Sequence, residues 1–383
     1  MFSIEFCKLL FEVLCHSLWQ ALSVSVVVWL LLRFLPARRS ETRYAIACAG
    51  QCTLLVGMLC TWSILNLPAE EGRMVAHEGP AVVQEIRDFE IRAGFADVDT
   101  VPTVGNATQA TAIMSDGPYW ITWTILAWSV GVLVMLIRTI RGYRGIRFWK
   151  REQVDAVDES VESGLNRIRD FCAELSRAIG LRRNVAIAVS DRIGGPLVVG
   201  TWWPVILLPL NMLSGNALSD EQWRVVVAHE LAHVRRYDGL VNLAQILIES
   251  FLFFNPFVWW LSRYIRAERE ACCDAMALKL TGKPITVAST LLDIAERSSA
   301  AAVRHPQPAL AFAAHGNGEE QRPGSLRDRI TRLVKPDQAP GIPLTWLSFV
   351  LSLLLLAGTG FALKKGTDVA VQSVASMLTP KNE

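Results

Sequence analysis

The chain has 383 residues, 51% of them hydrophobic and 19% charged, a composition that excludes a disordered or fibrous protein and points toward a membrane. With 38 Lys plus Arg against 36 Asp plus Glu, no strongly basic surface argues for direct nucleic-acid binding. The eight cysteines lack both the paired spacing of a structural zinc site and the density of a disulfide scaffold, and read as packing residues.

Crossing a hydrocarbon core takes about 20 apolar residues in helical form. Four segments meet that length, at about 9–32, 44–67, 119–137 and 344–363, and all four are expected to be transmembrane helices. The first lacks the basic start and small-residue cleavage site of a signal peptide and is expected to be retained. Within it Lys8, Glu12, His16 and Gln20 recur every four residues, so they share one helix face and should face protein rather than lipid.

Orientation follows from where basic residues collect, because basic loops resist translocation. Arg33, Arg38, Arg39 and Arg43 stand between the first two spans, and Arg138, Arg141, Arg144, Arg147, Lys150 and Arg151 follow the third. Both ends should be cytoplasmic. The segment 68–118 carries nine acids and three arginines and reads as an extracytoplasmic loop. The N-terminus is then outside, the chain is a multi-pass protein of the cytoplasmic membrane, and residues 148–340 form a cytoplasmic domain followed by the fourth span and a short outer tail.

Inside that domain Leu165, Ile168, Phe171, Cys172, Leu175 and Ile179 have the three-to-four spacing of an amphipathic helix within 155–179. Short β-rich runs follow at 185–189, 197–199 and 205–208, so the domain is expected to be α+β. Ser219 and Gln222 then match a capping box at a helix start. The helix it opens carries His229, Glu230 and His233.

Residues four apart lie on one helix face, so both imidazoles can bind one metal, while Glu230, rotated by about 100°, can reach a water held there. Zinc lowers the pKa of such a water to about 7, and a carboxylate beside it can take the proton. A catalytic zinc needs a third protein ligand, and the acidic stretch Glu268, Glu270 and Asp274 lies downstream. The apolar run 240–265 between them should not cross the membrane, since one crossing would leave the acidic stretch that must supply the third ligand on the opposite side from the histidines. Gln245, Glu249 and the break at Asn255–Pro256 instead predict two short helices in a hairpin, either dipping into the membrane interface or packed beneath the zinc domain.

The stretch from Gly195 to Gly282 resembles the membrane-embedded zinc metallopeptidases of the β-lactam sensor-transducer type (BlaR/MecR-type), which are gluzincins. The matching residues include Gly195–Pro196, Gly200 to Pro204, Leu208–Pro209 and the run from His229 to Asp238. They continue through Phe254 to Pro256, Trp259–Trp260, Glu268 to Glu270 and Cys273–Asp274, and resume from Ser325 to Ile330. The resemblance implies an α-helical membrane protein with a zincin-like domain and one Zn2+ per chain. By it, His229, His233 and Glu270 would be the zinc ligands, Glu230 the general base, and Asp274 a carboxylate behind the ligands that orients one of them. It further implies regulated proteolysis of a cytoplasmic protein, either a transcriptional repressor or the peptidase itself. Antibiotic-sensing members carry a penicillin-binding domain after the last span. The sequence ends at Glu383, so a member lacking that sensor is expected. The competing expectations are a catalytically silent membrane transducer or scaffold and a housekeeping membrane protease. A homo-oligomer is left open.

Overall fold

The computed structural model describes residues 4–66, 119–151, 159–191, 193–213, 218–302 and 324–335. The acidic segment 68–118 and the apolar segment 344–363 lie outside them.

Among the described residues three helices are long and apolar enough to cross a membrane: α1 (Ile4–Phe34), α2 (Ser40–Leu65) and α3 (Tyr119–Arg151). The third continues past the apolar run that marks it, because nothing after Ile137 breaks a helix until its basic residues have passed. Chain contacts divide into two compact units, residues 1–14 with 58–127 and residues 15–57 with 128–383. In the first, Phe6 meets Trp62 and Phe11 meets Trp120 edge to face. In the second, Trp19 Nε1 donates to His16 Nδ1 at 2.9 Å, and His16 and Gln20 are half-buried.

The peptidase-like part belongs to the second unit. Helix α4 (Glu159–Ala178) buries Leu165, Ile168, Cys172 and Leu175 along one face. A three-stranded sheet follows: β1 (Ala186–Ser190), β2 (Leu197–Val199) and β3 (Val205–Pro209), in the order β1-β3-β2. The central β3 runs parallel to β1, Ala186 facing Val205, and antiparallel to β2, Val199 facing Val205. Successive side chains of a strand point to opposite faces. Ile206 and Leu208 accordingly join the core under α4, while Val205 and Leu207 join Ala188, Ile193 and Val199 on the other face. A strand covered on both sides has no polar face to show, which explains an unbroken apolar run instead of an alternating one.

After the short α5 (Leu210–Leu213) comes α6 (Asp220–Arg235). Ser219 caps it, with both bonds of the capping box present: Gln222 N donates to Ser219 Oγ and Ser219 N to Gln222 Oε1. Val225, Val226, Val227, Ala228 and Leu231 bury the helix in the α4–sheet core. Next stand α7 (Asp238–Phe251), α8 (Pro256–Thr281) and α9 (Pro284–Ala302), and α10 (Leu326–Val334) closes the described chain.

Helices α7 and α8 meet at Asn255–Pro256. Asn255 Oδ1 accepts from Phe257 N and Val258 N, and Pro256 at the first helical position loses no bond. The second helix of this pair is not short. It runs 26 residues to Gly282, because no breaker intervenes, and so carries Glu270 on the same rigid rod as the turn.

Asn255 is fully buried and also donates from Nδ2 to Ser17 O of α1 at 3.2 Å. Asn255→Ala is expected to destabilise the protein by about 2 kcal/mol or more, through a lost cap and an orphaned buried carbonyl. Ser219→Ala, at an exposed cap, should cost about 1 kcal/mol. Thermal inactivation of the two variants in detergent should show that order.

Candidate metal centre

The buried middle of α6 aims one face of its last two turns at α8. His229 Nε2 lies 3.6 Å from Glu270 Oε2, and His233 Nε2 lies 3.9 Å from Glu270 Oε1. One donor atom from each of these residues falls within 4.8 Å of the others. The two imidazole rings stand nearly perpendicular, 5.0 Å apart between centroids. Glu230 is buried in the same turn. The structure thus brings together His229 and His233, which the spacing pairs, with Glu270, which the resemblance adds.

Each imidazole has a carboxylate behind it. Asp274 Oδ1 stands 3.0 Å from His229 Nδ1, one helical turn beyond Glu270 on α8. Asp238 Oδ2 stands 2.8 Å from His233 Nδ1, at the first residue of α7. Holding Nδ1 in this way leaves Nε2 of each ring facing the space beside Glu270, the arrangement in which imidazole binds a metal. Two imidazoles and a carboxylate are also a donor set suited to zinc, so the residues present fit such an ion.

Asp274 is itself held from α10. Arg329 reaches it with two bonds, Nε to Oδ2 at 2.8 Å and Nη2 to Oδ1 at 2.7 Å, and Nη1 approaches Glu270 at 3.7 Å. Helix α10 can lie this close because Gly324, at φ +77°, has no side chain: a Cβ there would sit 3.0 Å from Ala267 Cα. Ser325 then caps the helix by accepting from Asp328 N.

A second buried group lies two residues before Glu270 on α8. Glu268, 0% exposed, accepts from Arg43 Nε of α2 at 3.0 Å and from Arg332 Nη1 of α10 at 3.0 Å. Arg43 also donates from Nη1 to Leu32 O and Leu35 O, both at 2.8 Å, and from Nη2 to Tyr264. It thereby satisfies carbonyls that the end of α1 leaves open.

Three contributors are invisible to the motif. Asp238 follows the second histidine by five residues and closes the matching run from His229, but its spacing gives it no role. Arg329 arrives 55 residues after the carboxylate it binds. Cys273, which its spacing marks as a packing residue, lies against the site, its thiol donating to Asp238 Oδ2 at 3.6 Å and standing 3.4 Å from His233 Nδ1. Burial, then the charges of Asp238 and Glu270, push that thiol well above its ordinary pKa and keep it protonated. Its contact with Asp238 Oδ2 supports that carboxylate from the α8 side.

Burial would push the carboxyls of Glu270 and Asp274 upward. For Glu270 the two imidazoles and Arg329 outweigh it and hold the group well below the usual carboxylate range. For Asp274, Arg329 and then His229 do the same, lowering it to about 2. Burial likewise opposes charge on His229, yet the Asp274 and Glu270 carboxylates raise its pKa to about 10.

A helix-borne pair of histidines beside a glutamate, with three membrane-length helices among the described residues, is the arrangement expected of a metallopeptidase of the membrane. The model of the BlaR1 peptidase M56 family matches residues 13–317, and the chain belongs to that family. Membership implies a metal cofactor. Among curated proteins, the regulatory protein BlaR1 of Bacillus licheniformis is 29% identical over 177 residues, 46% of this chain and 27% of that protein. The methicillin resistance mecR1 protein of Staphylococcus aureus (strain Mu50 / ATCC 700699) is 26% identical over 161 residues, 42% of this chain and 26% of that protein. The matched stretch therefore spans about a quarter of the length of these relatives.

A histidine whose pKa is raised keeps its proton below that value, and a metal taking Nε2 must displace it. The apparent metal affinity should therefore climb with pH, about tenfold per unit, until about pH 10. Competition with a chromophoric chelator at several pH values between 6.5 and 9 measures this. A plateau above pH 7 would show that His229 titrates as an ordinary histidine.

Proposed function

We propose that the chain is a membrane-embedded zinc endopeptidase that cleaves a cytoplasmic protein in signal-responsive proteolysis. The observation that carries the reading is the convergence of His229 Nε2, His233 Nε2 and a Glu270 oxygen, with a carboxylate behind each imidazole. His229, His233 and Glu270 would hold the ion, one per chain. When bound, zinc supplies Lewis acidity toward a water and a peptide carbonyl.

The chain's own residues do the rest. Glu230 acts as general base, taking a proton from the attacking water and passing it to the departing amine. Asp274 and Asp238 fix the two rings so that neither Nε2 turns away, and Arg329 keeps Asp274 ionised for that task. The repressor and self-cleavage readings rest on kinship with proteins named as regulatory and resistance proteins, so the substrate is proposed by class.

Glu230→Gln should abolish cleavage while the ion stays bound, because it removes the base and no ligand. His229→Ala and His233→Ala should lose the metal as well, since two protein ligands hold zinc far more weakly than three. Zinc content and cleavage of a co-expressed candidate substrate, or of the chain itself, are the two measurements. Cleavage by Glu230→Gln near the wild-type rate would overturn the mechanism. A zinc-loaded protein that cleaves no substrate in any setting would favour a silent transducer.

The cytoplasmic placement of the centre rests on the arginine clusters at 33–43 and 138–151. Reporter fusions after Arg151 should behave as cytoplasmic, and fusions within 68–118 as exported. The reverse pattern would remove the cytoplasmic substrate.

A further inference from the structure

Helix α7 has its polarity reversed. Its polar side chains point into the protein: Gln245 Nε2 donates to Ser262 O at 3.1 Å, Glu249 pairs with Arg266 at 2.5 Å, and Asn242 accepts from Arg269. Its outer face is apolar, with Leu240, Leu243, Leu247 and Phe251 between 40 and 48% exposed. A helix at a water-facing surface would show the opposite pattern. In hydrocarbon this is the stable one, because polar groups there must be satisfied within the protein.

The depth of the α7–α8 hairpin can be read from its partners among the membrane-length helices, counting from their arginine-bearing ends. At the upper end of α7, Arg236 lies over the ring of Tyr44, and Glu268 of α8 binds Arg43, so both hairpin arms start level with the first turn of α2. Further down, Ser262 of α8 pairs with Gln51, two helical turns below Arg43, or about 12 Å. At the tip, Asn255 donates to Ser17 O, sixteen residues below Arg33 in α1, or about 24 Å. From α3, Trp128 Nε1 donates to Phe251 O at 3.0 Å, and the Phe253 ring packs on Gly131, where a Cβ would meet it at 2.4 Å. These two positions lie about 10 to 15 Å below Arg138. The α1 and α3 contacts place the tip well inside a hydrocarbon core about 30 Å thick, and the α2 contact places Ser262 on the way down to it.

The top of α7 has an aromatic collar. The β2–β3 turn projects Trp202 and Trp203, 68% and 81% exposed. Arg183 ties this turn to the α6–α7 corner, donating to Thr201 O at 2.8 Å and to Val234 O while lying 3.8 Å over the Tyr237 ring. Exposed tryptophan and tyrosine where an apolar stripe begins are the pattern of a membrane–water interface.

We propose that α7 and the first half of α8 form a re-entrant hairpin inserted in the lipid bilayer from the arginine-bearing side, with Leu240, Leu243, Leu247 and Phe251 against acyl chains and Trp202 and Trp203 among the headgroups. His233 and Asp238 then lie at the membrane surface, and the metal centre opens along it. The placement rests on the membrane-length helices and not on catalysis.

The test uses the full chain reconstituted in phosphatidylethanolamine–phosphatidylglycerol vesicles with two photoactivatable diazirine probes, one on a phospholipid acyl chain and one small and water-soluble. Labelled peptides are mapped by mass spectrometry. The acyl-chain probe should label the peptide 240–251 as strongly as the lipid-facing part of α2, while the water-soluble probe labels α4 and leaves 240–251 untouched. Labelling of 240–251 by the water-soluble probe alone would overturn the proposal. Labelling by neither probe would overturn it too, since the face would then be covered by protein, such as a second copy of the chain. As an independent check, Leu247→Lys should sharply reduce the folded protein recovered from membranes, whereas Leu292→Lys, at an equally exposed leucine on α9, should not.

Discussion

Three carboxylates on one helix organise this molecule. Glu268 and Asp274 are buried and Glu270 is partly buried, all within two turns of α8, each facing cationic or imidazole partners on other elements. An uncompensated buried carboxylate costs several kcal/mol, so these partners are obligatory. Glu268 fixes the α1–α2 turn through Arg43, Glu270 fixes the two histidines of α6, and Asp274 fixes α10 through Arg329. Side-chain charge on a single rod thus determines how four separate elements approach one another. The hydrophobic core under the sheet supplies bulk stability, but it does not by itself choose this arrangement.

The same rod begins at Asn255 and passes from an apolar setting into a charged one along its length. Its first turns contact α1 and α2 through Val28, Ala47, Leu261 and Ile265, and its later turns carry the ionic groups. The hydrogen bonds of its first half are few and fully internal, which suits a solvent unable to satisfy stray polar groups. Placing Glu270 just beyond that half gives it a rigid base. Nothing but regular helix separates Glu270 from the deepest point of the turn.

Much of this was legible in the sequence because the signals were local. The capping box at Ser219, the four-residue spacing of His229 and His233, the stop at Asn255–Pro256 and the unbroken apolar β3 each express a rule acting over a few residues. The strand edges moved by one residue, since pairing with β3 sets where β1 starts and ends. The length of α8 was misread because an apolar run and a charged run were treated as separate elements, although helix continuity depends on breakers and not on polarity. Asp238, Cys273 and Arg329 stand in stretches that carry the resemblance, but their roles come from contacts, most of them closed across tens of residues, which no spacing encodes. The carboxylates of α8 were visible as an acidic stretch, but their division of labour required the partners.

The cations that complete the site come from opposite ends of the chain. Arg43 is made early, and Arg329 and Arg332 emerge only after every ligand of the motif has been synthesised. A nascent chain that has reached α9 already holds both histidines and Glu270, yet Asp274 lacks its guanidinium and Glu268 has one of its two. The same state would follow from a nick or premature stop in the stretch between α9 and α10. The finished geometry therefore requires α10 to be docked, because Arg329 and Arg332 come from it.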